Sequence, residues 1–198
     1  SGPGAMSRAT REPPCRACGA PLRHTFVDLG MSPLCQKHRT PEDVADMEPF
    51  YPLHVWLCDQ CFLVQLEEFV PPDEIFGDGE YAYFSSFSDS WLEHASRYVS
   101  ATSERFGFGE KSFVVEVASN DGYLLQYFVE RDVRVLGIEP ASNTAAAARE
   151  KGVDTLVRFF GLETAEIVAK EHGRADLIAG NNVLAHVPDI NDLVAGLK

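Results

Sequence analysis

Four of the chain's five cysteines stand in two C-x-x-C pairs, Cys15 with Cys18 and Cys58 with Cys61. Each pair can turn both sulfur atoms toward one point, and two such pairs supply the tetrahedral thiolate set that zinc prefers. Because four protein ligands leave no open position, we predict a structural zinc site that holds together a lobe too small to build its own core. A redox dithiol and disulfides are the alternatives, and two matched pairs favour the metal over either.

The segment between the two pairs, residues 19–57, is long enough to fold as a small lobe of its own. Strands are predicted at residues 50–57 and 62–66, on either side of the second pair. Cys35 lies in this segment without a neighbouring cysteine, and we interpret it as a buried structural thiol rather than a catalytic nucleophile. We therefore place a zinc-binding lobe at residues 6–70.

A second pattern that could support chemistry covers residues 114–140. It reads as an apolar strand with a tight turn (VVEVASNDG), a helix (YLLQYFVER) and a second strand that ends in a carboxylate, Glu139 (VRVLGIEP). A sharp strand-to-helix turn directs backbone N–H groups at a ligand, and an acid that closes the next strand can accept both hydroxyls of a ribose. This layout predicts a nucleotide ligand, and an ordinary βαβ unit without a ligand is the alternative.

The turn departs from the dinucleotide-binding pattern of three glycines. Ala118 and Asn120 replace the first two, and only Gly122 remains. Asparagine tolerates a positive φ and alanine allows close approach of the backbone, so the turn is kept while a pyrophosphate has less room. S-adenosylmethionine needs the turn and the ribose acid but carries no pyrophosphate. Glu116, Gly122 and Glu139 resemble in their placement the acids and the glycine of class I methyltransferases.

Residues 71–90 form a connector that is rich in Pro, Gly and acids but also unusually aromatic. Rings alternate with hydroxyls in its central part, which contains Tyr81, Tyr83, Phe84, Ser85, Ser86, Phe87 and Ser88. Exposing so many rings would forfeit their burial, so we expect them to cover something. One candidate is the cofactor, whose sulfonium gains cation–π stabilisation over aromatic faces while hydroxyls such as that of Ser85 bind its amino-acid end. Plain packing between domains is the alternative.

The rest of the chain alternates between helices and strands. A helix is predicted at residues 89–106 with Ser90 as its N-cap, later helices at 142–151, 161–170 and 190–197, and strands at 154–157 and 175–180. Strict alternation predicts an α/β fold with a parallel, doubly wound sheet, a Rossmann-like domain over residues 91–198. Asn181, Asn182 and His186 follow the fourth strand, where open α/β sheets place the ligand crevice.

Composition and charge restrict the partners. The formal net charge is −13 and 45% of the residues are apolar, as in soluble globular proteins. Nonspecific nucleic-acid binding depends on clustered Lys and Arg, so we expect no nucleic-acid partner, and no apolar run is long enough to span a membrane. Residues 1–5 (SGPGA) are interpreted as a cloning remnant ahead of a native start at Met6. No secretory signal follows, so we expect a cytoplasmic protein with a small-molecule partner.

The motifs CRACG, CDQCFLVQL, YAYFSS, VEVASNDGYLL, GIEPAS and NNVLAHVP together resemble the zinc-containing sugar C-methyltransferases, over nearly all of residues 15–198. The resemblance implies a small zinc domain, a central S-adenosylmethionine domain and a C-terminal domain. It also implies methylation of C3 of a nucleotide-linked 4-keto-deoxysugar through an enolate, in antibiotic-sugar biosynthesis. One alternative is a methyltransferase for another acceptor, such as a protein, an RNA or a metabolite. The acidic net charge argues against an RNA acceptor. The other alternative is a noncatalytic zinc-ribbon interaction module.

The resemblance also implies roles for individual residues. The family's cofactor positions and its motif after the fourth strand fall on Ser119, Asn120, Gly122, Glu139 and Asn182. Tyr83 falls on the tyrosine that faces the reaction site, where it either contacts the reacting groups or only stacks over the cofactor. For His186, shaping a turn is favoured over proton transfer. The full set of candidate cofactor ligands is Tyr83, Ser85, Glu116, Ser119, Asn120, Gly122, Glu139, Pro140, Asn181 and Asn182, and the catalytic candidates are Tyr83 and His186.

In the family, the catalytic base comes from a Tyr/Glu/His cluster after the fifth strand, whereas this sequence ends after the fourth strand and the helix that follows it. The chain therefore lacks about three strands of the family's sheet, which leaves one sheet edge open. We expect it to bind the cofactor but not to turn over on its own.

Overall fold

The computed structural model describes residues 12–77 and 81–198. The described residues divide into two compact units, 12–33 with 50–69 and 34–49 with 70–77 and 81–198. The zinc lobe predicted from the sequence includes residues 34–49, which instead group with the second unit. The interpretation of residues 1–5 and of a start at Met6 concerns positions outside the described residues.

The first unit is built on a three-stranded antiparallel sheet, in which the middle strand pairs with both neighbours. Its strands are β1 (His24–Pro33), β2 (Phe50–Leu57) and β3 (Val64–Leu66). The buried core beside this sheet consists of Cys15, Leu22 and Cys58. So small an apolar interior contributes little hydrophobic stabilisation, which is the situation in which small domains depend on a metal or disulfides.

Strand β1 is not among the strands that the sequence predicts. Its pairing with β2 shifts register between Thr25 and Val27 and again between Asp28 and Met31. At the second shift, Gly30 has a φ of 78° and its N–H donates to the Asp28 carboxylate at 2.9 Å. Such bulges interrupt the period-two alternation by which a strand is recognised in a sequence.

The second unit contains a four-stranded parallel sheet of order β6-β5-β4-β7. The strands are β4 (Phe113–Val117), β5 (Arg134–Ile138), β6 (Thr155–Leu156) and β7 (Leu177–Ala179). The helices are α1 (Pro72–Phe76), α2 (Asp89–Phe106), α3 (Gln126–Val129), α4 (Ser142–Glu150), α5 (Leu162–Glu171) and α6 (Ile190–Gly196). The predicted α/β class with a parallel sheet is confirmed.

Helices cover both faces of this sheet. Val114 of β4 and Val135 of β5 belong to one buried cluster, which includes residues of α2, α3 and α4. Val115 and Leu136, their neighbours along the two strands, belong to a second cluster with Val168 of α5. Successive side chains of a strand point to opposite faces, so the near-continuous apolar runs of β4 and β5 reflect burial on both sides.

The helices predicted at residues 142–151, 161–170 and 190–197 are found within one residue of those bounds, whereas the helix after the turn and the N-cap of α2 differ from the sequence prediction. The helix expected after the turn is limited to α3, because residues 123–125 form turns. The N–H groups of Tyr127 and Phe128 donate to the carbonyls of Leu124 and Leu125, three residues earlier, rather than four residues earlier as in an α-helix. Helix α2 is capped by Ser88 rather than Ser90, since the Ser88 hydroxyl accepts the N–H of Trp91. Among the described residues, no helix combines the length and apolar character that crossing a membrane requires.

Gly122, at the end of the tight turn, offers a test of this packing. Its φ is 75°, and a Cβ added there would lie 3.1 Å from Val153 Cγ2 and 3.3 Å from Ala148 Cα. Gly122→Ala should lower the free energy of unfolding by about 2–4 kcal/mol, from the left-handed backbone and the overpacking together. The measurement is urea unfolding of the purified chain.

Gly152→Ala is the matched control, because Gly152 has a φ of 80° and an added Cβ would meet nothing within 4 Å. It should lose only the backbone contribution of about 1–2 kcal/mol. Equal losses in the two variants would contradict the tight contact between the turn and the Ala148–Val153 region.

Candidate functional site

The four paired cysteines come together in the first unit. Their Sγ atoms all lie within 4.8 Å of one another, and the closest approaches are 3.6 Å, from Cys15 to Cys61 and from Cys18 to Cys58. None of the four is in a disulfide. A zinc ion with sulfur ligands at about 2.3 Å in a tetrahedron needs sulfur–sulfur separations of about 3.8 Å. The thiol set therefore fits zinc in both chemistry and spacing.

Each cysteine pair sits in the same kind of backbone knuckle. The N–H of Gly19 donates to the carbonyl of Cys15 at 2.9 Å, and the N–H of Phe62 donates to that of Cys58 at 3.0 Å. Gly19 and Phe62 close their knuckles with left-handed φ values of 73° and 62°. The predicted strand at residues 62–66 therefore begins only at Val64, because the knuckle uses Phe62.

The four thiols cannot all ionise without a cation. Burial raises the pKa of Cys15, but hydrogen bonds, chiefly from Gln65 Nε2 at 3.1 Å, more than offset this and lower it to about 6. The backbone of Leu63 lowers the pKa of Cys61, yet desolvation and the neighbouring sulfur atoms raise it to about 12. One thiolate thus forms readily and opposes the next, whereas a coordinated divalent cation stabilises all of them.

The second candidate site is the turn after β4. Glu139 is buried at the end of β5, where Oε2 accepts the N–H of Asn120 and Oε1 that of Ala141, both at 2.9 Å. Burial raises the pKa of Glu139, and these two N–H groups oppose the rise. Ala118, Asn120 and Gly122 all have positive φ, 56°, 50° and 75°. Each carboxylate oxygen keeps a lone pair that could accept a hydroxyl.

A fully buried acid, Glu116, lies one residue before the carboxyl end of β4. Among the described residues, neither of its oxygens has a hydrogen-bond partner. Burial raises the pKa of Glu116 well above its usual value, and the side chains of Tyr123 and Asn181 oppose the rise. Asn181 Nδ2 donates to the Tyr123 hydroxyl at 3.1 Å, and the Tyr123 ring stacks on Trp91 with centroids 5.8 Å apart. The structure thus brings Glu116 and Asn181 together and adds Tyr123.

The aromatic segment, residues 81–87, is fastened to the turn by side chains. Asn120 accepts the N–H of Ser85 at 2.9 Å and donates to the carbonyl of Tyr83 at 3.0 Å. Asn143 Nδ2 donates to the carbonyl of Tyr81 at 2.8 Å. The Asn120 side chain therefore holds the aromatic segment, while its main-chain N–H holds Glu139.

A partly buried ion pair strengthens the same junction. Lys151 Nζ donates to Asp121 Oδ2 at 3.0 Å, to the Asp121 carbonyl at 2.7 Å and to Ser86 Oγ at 2.6 Å. Asp121 Oδ2 also accepts the N–H of Ser86 at 3.3 Å. The sequence prediction misses both charged residues. Only the place of Asp121 inside the turn could have signalled it, since nothing in the alanine-rich helix marks Lys151.

The remaining candidate site residues make fewer hydrogen bonds. Ser119 is fully buried, and its hydroxyl has no hydrogen-bond partner among the described residues. Pro140 is half-buried and stands in sequence between Glu139 and Ala141, whose N–H donates to the Glu139 carboxylate. Asn182 is exposed with a φ of 54°, and His186 is exposed at the end of a short 3-10 helix. His186 thus follows the carboxyl end of β7, the fourth strand of the sheet, as the sequence indicates.

Cys35 differs from its prediction as a buried thiol. It is exposed, in a turn next to Gln36, whose φ is 64°. It belongs to the second unit and lies close enough to Tyr81 to help raise the pKa of that phenol, for which burial is the main cause and Glu139 the next. A surface turn has no apolar surroundings in which to bury a side chain, so the prediction was wrong.

Comparison with known proteins identifies relatives of both units. Residues 15–76 match the Methyltransf_13 family, described as a zinc binding domain. The C-methyltransferase NovU of Streptomyces niveus is 36% identical over 184 residues, which are 93% of this chain and 43% of that protein. The chain thus spans less than half the length of this relative. The X-ray structure of YjhP from E. coli is 16% identical with a TM-score of 0.41, over 65% of this chain and 52% of that one; a likeness this low supports no conclusion.

The cysteine cluster lies within the matched residues, and we propose that it is the zinc site of this domain. Protein purified without chelator should contain about one zinc per chain by elemental analysis. Cys58→Ser should lose the metal and unfold the first unit, because a core of three buried residues cannot hold it together. Cys35→Ser, which changes an exposed thiol outside the cluster, should keep both metal and fold. Metal-free wild-type protein would overturn the assignment.

Glu116 should make stability depend on pH. Its pKa in the fold is raised above the ordinary value of 4.5, so over the interval between the two values the folded chain holds a proton that the unfolded chain has released. The free energy of unfolding therefore falls as the pH rises from about 4.5 toward the folded pKa. Glu116→Gln should reduce this slope, to which Glu139 with its own raised pKa also contributes, and should stabilise the chain at neutral pH by about 1.4 kcal/mol for each pKa unit.

The measurement is urea unfolding from pH 5 to pH 8. Glu166→Gln is the control, since Glu166 is an exposed acid of α5 and its loss should leave the slope as it is. If Glu116→Gln and wild type show the same dependence on pH, the buried carboxyl is not the source of it.

Proposed function

The chain belongs to the zinc-containing sugar C-methyltransferase family, and from that premise we propose that its second unit binds S-adenosylmethionine as the methyl donor for a carbon acceptor. The observation that carries the proposal is the turn around Asn120. Its N–H holds the carboxylate of Glu139 at the carboxyl end of the sheet, where open α/β folds bind nucleotides.

Glu139 is the proposed ribose ligand. Its two backbone hydrogen bonds fix the orientation of the carboxylate and leave one lone pair on each oxygen for the two ribose hydroxyls. The same bonds argue against a pyrophosphate. The N–H of Asn120, which a phosphate would need, is already donated to an acid, and a second anion there would be repelled.

The charges around the turn favour a cationic ligand. Glu116, Asp121 and Glu139 are all buried, and among the described residues Lys151 forms an ion pair with one of them, Asp121. Both oxygens of Glu116 and Oδ1 of Asp121 lack hydrogen-bond partners among the described residues. S-adenosylmethionine carries a sulfonium, an ammonium and several hydrogen-bond donors, so it can satisfy these acceptors.

The proposed reaction is methylation at C3 of a nucleotide-linked 4-keto-deoxysugar. A base removes the C3 proton, the ketone oxygen takes up the charge as an enolate, and C3 then forms a bond to the methyl carbon as the methyl–sulfur bond breaks. S-adenosylhomocysteine leaves as a neutral thioether. Tyr83 is the residue of this chain proposed to face the reacting groups, because its half-exposed ring belongs to the segment held on the turn.

Further parts of the proposal follow from the family. His186 is a secondary candidate for contact with the substrate, and the base itself is proposed to lie in the part of the family's proteins that this chain does not span. A nucleotide-sugar substrate, a role in deoxysugar and antibiotic biosynthesis and a cytoplasmic location remain predictions from the family.

Glu139→Ala tests the cofactor site. Wild-type chain should bind S-adenosylhomocysteine in titration calorimetry, and the variant should bind about 30- to 1000-fold more weakly, because two hydrogen bonds to a charged acceptor are lost. Glu150→Ala, at an exposed acid of α4, is the matched control and should bind as wild type does. Thermal unfolding of all three separates loss of binding from loss of fold.

The same substitution in a full-length protein should abolish transfer of a ¹³C-methyl group from the donor to a carbon of the keto sugar, followed by NMR. If the wild-type chain binds neither S-adenosylmethionine nor S-adenosylhomocysteine, the proposed function is wrong. If it binds them and the full-length protein methylates a different acceptor, the cofactor assignment stands and the sugar assignment fails.

A further inference from the structure

Polar contacts, rather than burial of its rings, set the position of the aromatic segment. The side chains of Asn120, Asp121 and Asn143 bond four of its main-chain groups, two carbonyls and two N–H groups. Phe87 is 82% exposed, although its ring stacks on Phe84, and Tyr83 is 48% exposed, so burial among apolar side chains contributes little to fixing either residue. Where the Tyr83 phenol stands therefore depends on how firmly the main chain around it is tied to the turn.

Lys151 is the residue that closes this arrangement. It follows α4, far in sequence from the segment, and its ammonium reaches both the Asp121 carboxylate and the Ser86 hydroxyl. Asp121 in turn accepts the N–H of Ser86. Three groups from separate parts of the chain thus form one connected network. Asp121 is almost fully buried, so removing the ammonium would leave an unpaired buried charge.

We propose that Lys151 is a positioning residue of the methyl-transfer site. By holding Ser86 against Asp121 it sets the place of Tyr83, whose carbonyl is bonded to the neighbouring Asn120. The inference rests on the proposed function, in which Tyr83 faces the cofactor and the acceptor. A long flexible ammonium suits this role, since it can reach three acceptors on two different segments at once.

Hydrogen exchange of the chain, followed by NMR or mass spectrometry, tests the fastening directly. Lys151→Met should speed exchange of the Ser85 and Ser86 amides about tenfold to hundredfold, because hydrogen bonds to charged groups are lost around them. Lys151→Arg keeps the positive charge and should restore much of the protection. Lys170→Met, a matched change at an exposed lysine of α5, should have no effect on these amides. Wild-type exchange rates in Lys151→Met would overturn the proposal.

A second variant covers the case in which Lys151→Met does not fold. Ser86→Ala removes the hydroxyl that Lys151 bonds but leaves the pair with Asp121 intact. It should speed exchange of the same two amides by about tenfold. Unchanged exchange in folded Ser86→Ala would equally overturn the proposal.

A double-mutant cycle separates positioning of Tyr83 from general support of the fold. S-adenosylhomocysteine affinity is measured for wild type, Lys151→Met, Tyr83→Ala and the double variant. If Lys151 acts through Tyr83, its substitution should weaken binding in the wild-type background and have little further effect once Tyr83 is alanine. Additive losses would mean that Lys151 acts on binding by another route, against the proposal. If wild type does not bind the ligand, the proposed function fails, while the exchange experiment still decides whether Lys151 fastens the segment.

Discussion

The second unit depends on the left-handed backbone of one short turn. Ala118, Asn120 and Gly122 each have positive φ, and N–H groups in such a turn converge on a concavity that attracts an anion. In dinucleotide-binding proteins a phosphate enters that concavity. Here the anion is the protein's own Glu139, which ties the end of β5 to the turn after β4. Asn120 accounts for this difference from the dinucleotide-binding turn. Asparagine tolerates the left-handed conformation, and its side chain binds the aromatic segment.

The first unit uses the same conformation for a different purpose. Gly19 and Phe62 both take left-handed values so that each pair of cysteines can present its sulfur atoms to one point. For phenylalanine this conformation costs about 1–2 kcal/mol, and three buried residues offer little to offset it. The balance is restored by coordination, since the binding free energy of a structural zinc is folding free energy. With the proposed zinc bound at the four cysteines, the metal would be a condition for the unit's fold rather than an addition to it.

The sequence predicts the features that follow from residue type and spacing. Two C-x-x-C pairs indicate their ligand whatever the fold between them, and an apolar run, a turn and an acid at Glu139 indicate a βαβ nucleotide unit. It does not predict β1, whose bulges conceal the alternation. It also misses the pairing of Asp121 with Lys151, because a contact between residues 30 positions apart depends on how α4 packs. The role of the Asn120 side chain is missed for the same reason: its partners at Tyr83 and Ser85 come from a segment 35 or more positions upstream.

The contacts that the sequence misses explain how three acids can be buried around one turn. Asp121 is neutralised by Lys151, and Glu139 is stabilised by two backbone N–H groups, but Glu116 has no ion-pair partner among the described residues, and Tyr123 and Asn181 only partly oppose the rise of its pKa. Such a group reduces the stability of the fold unless it is protonated or finds a donor from outside the chain. A ligand that supplies donors and positive charge removes this penalty on binding, and whatever binds the folded state alone also stabilises it. Binding of the proposed cofactor would therefore relieve part of the cost of burying Glu116, a contribution that the turn and Glu139 do not make by themselves.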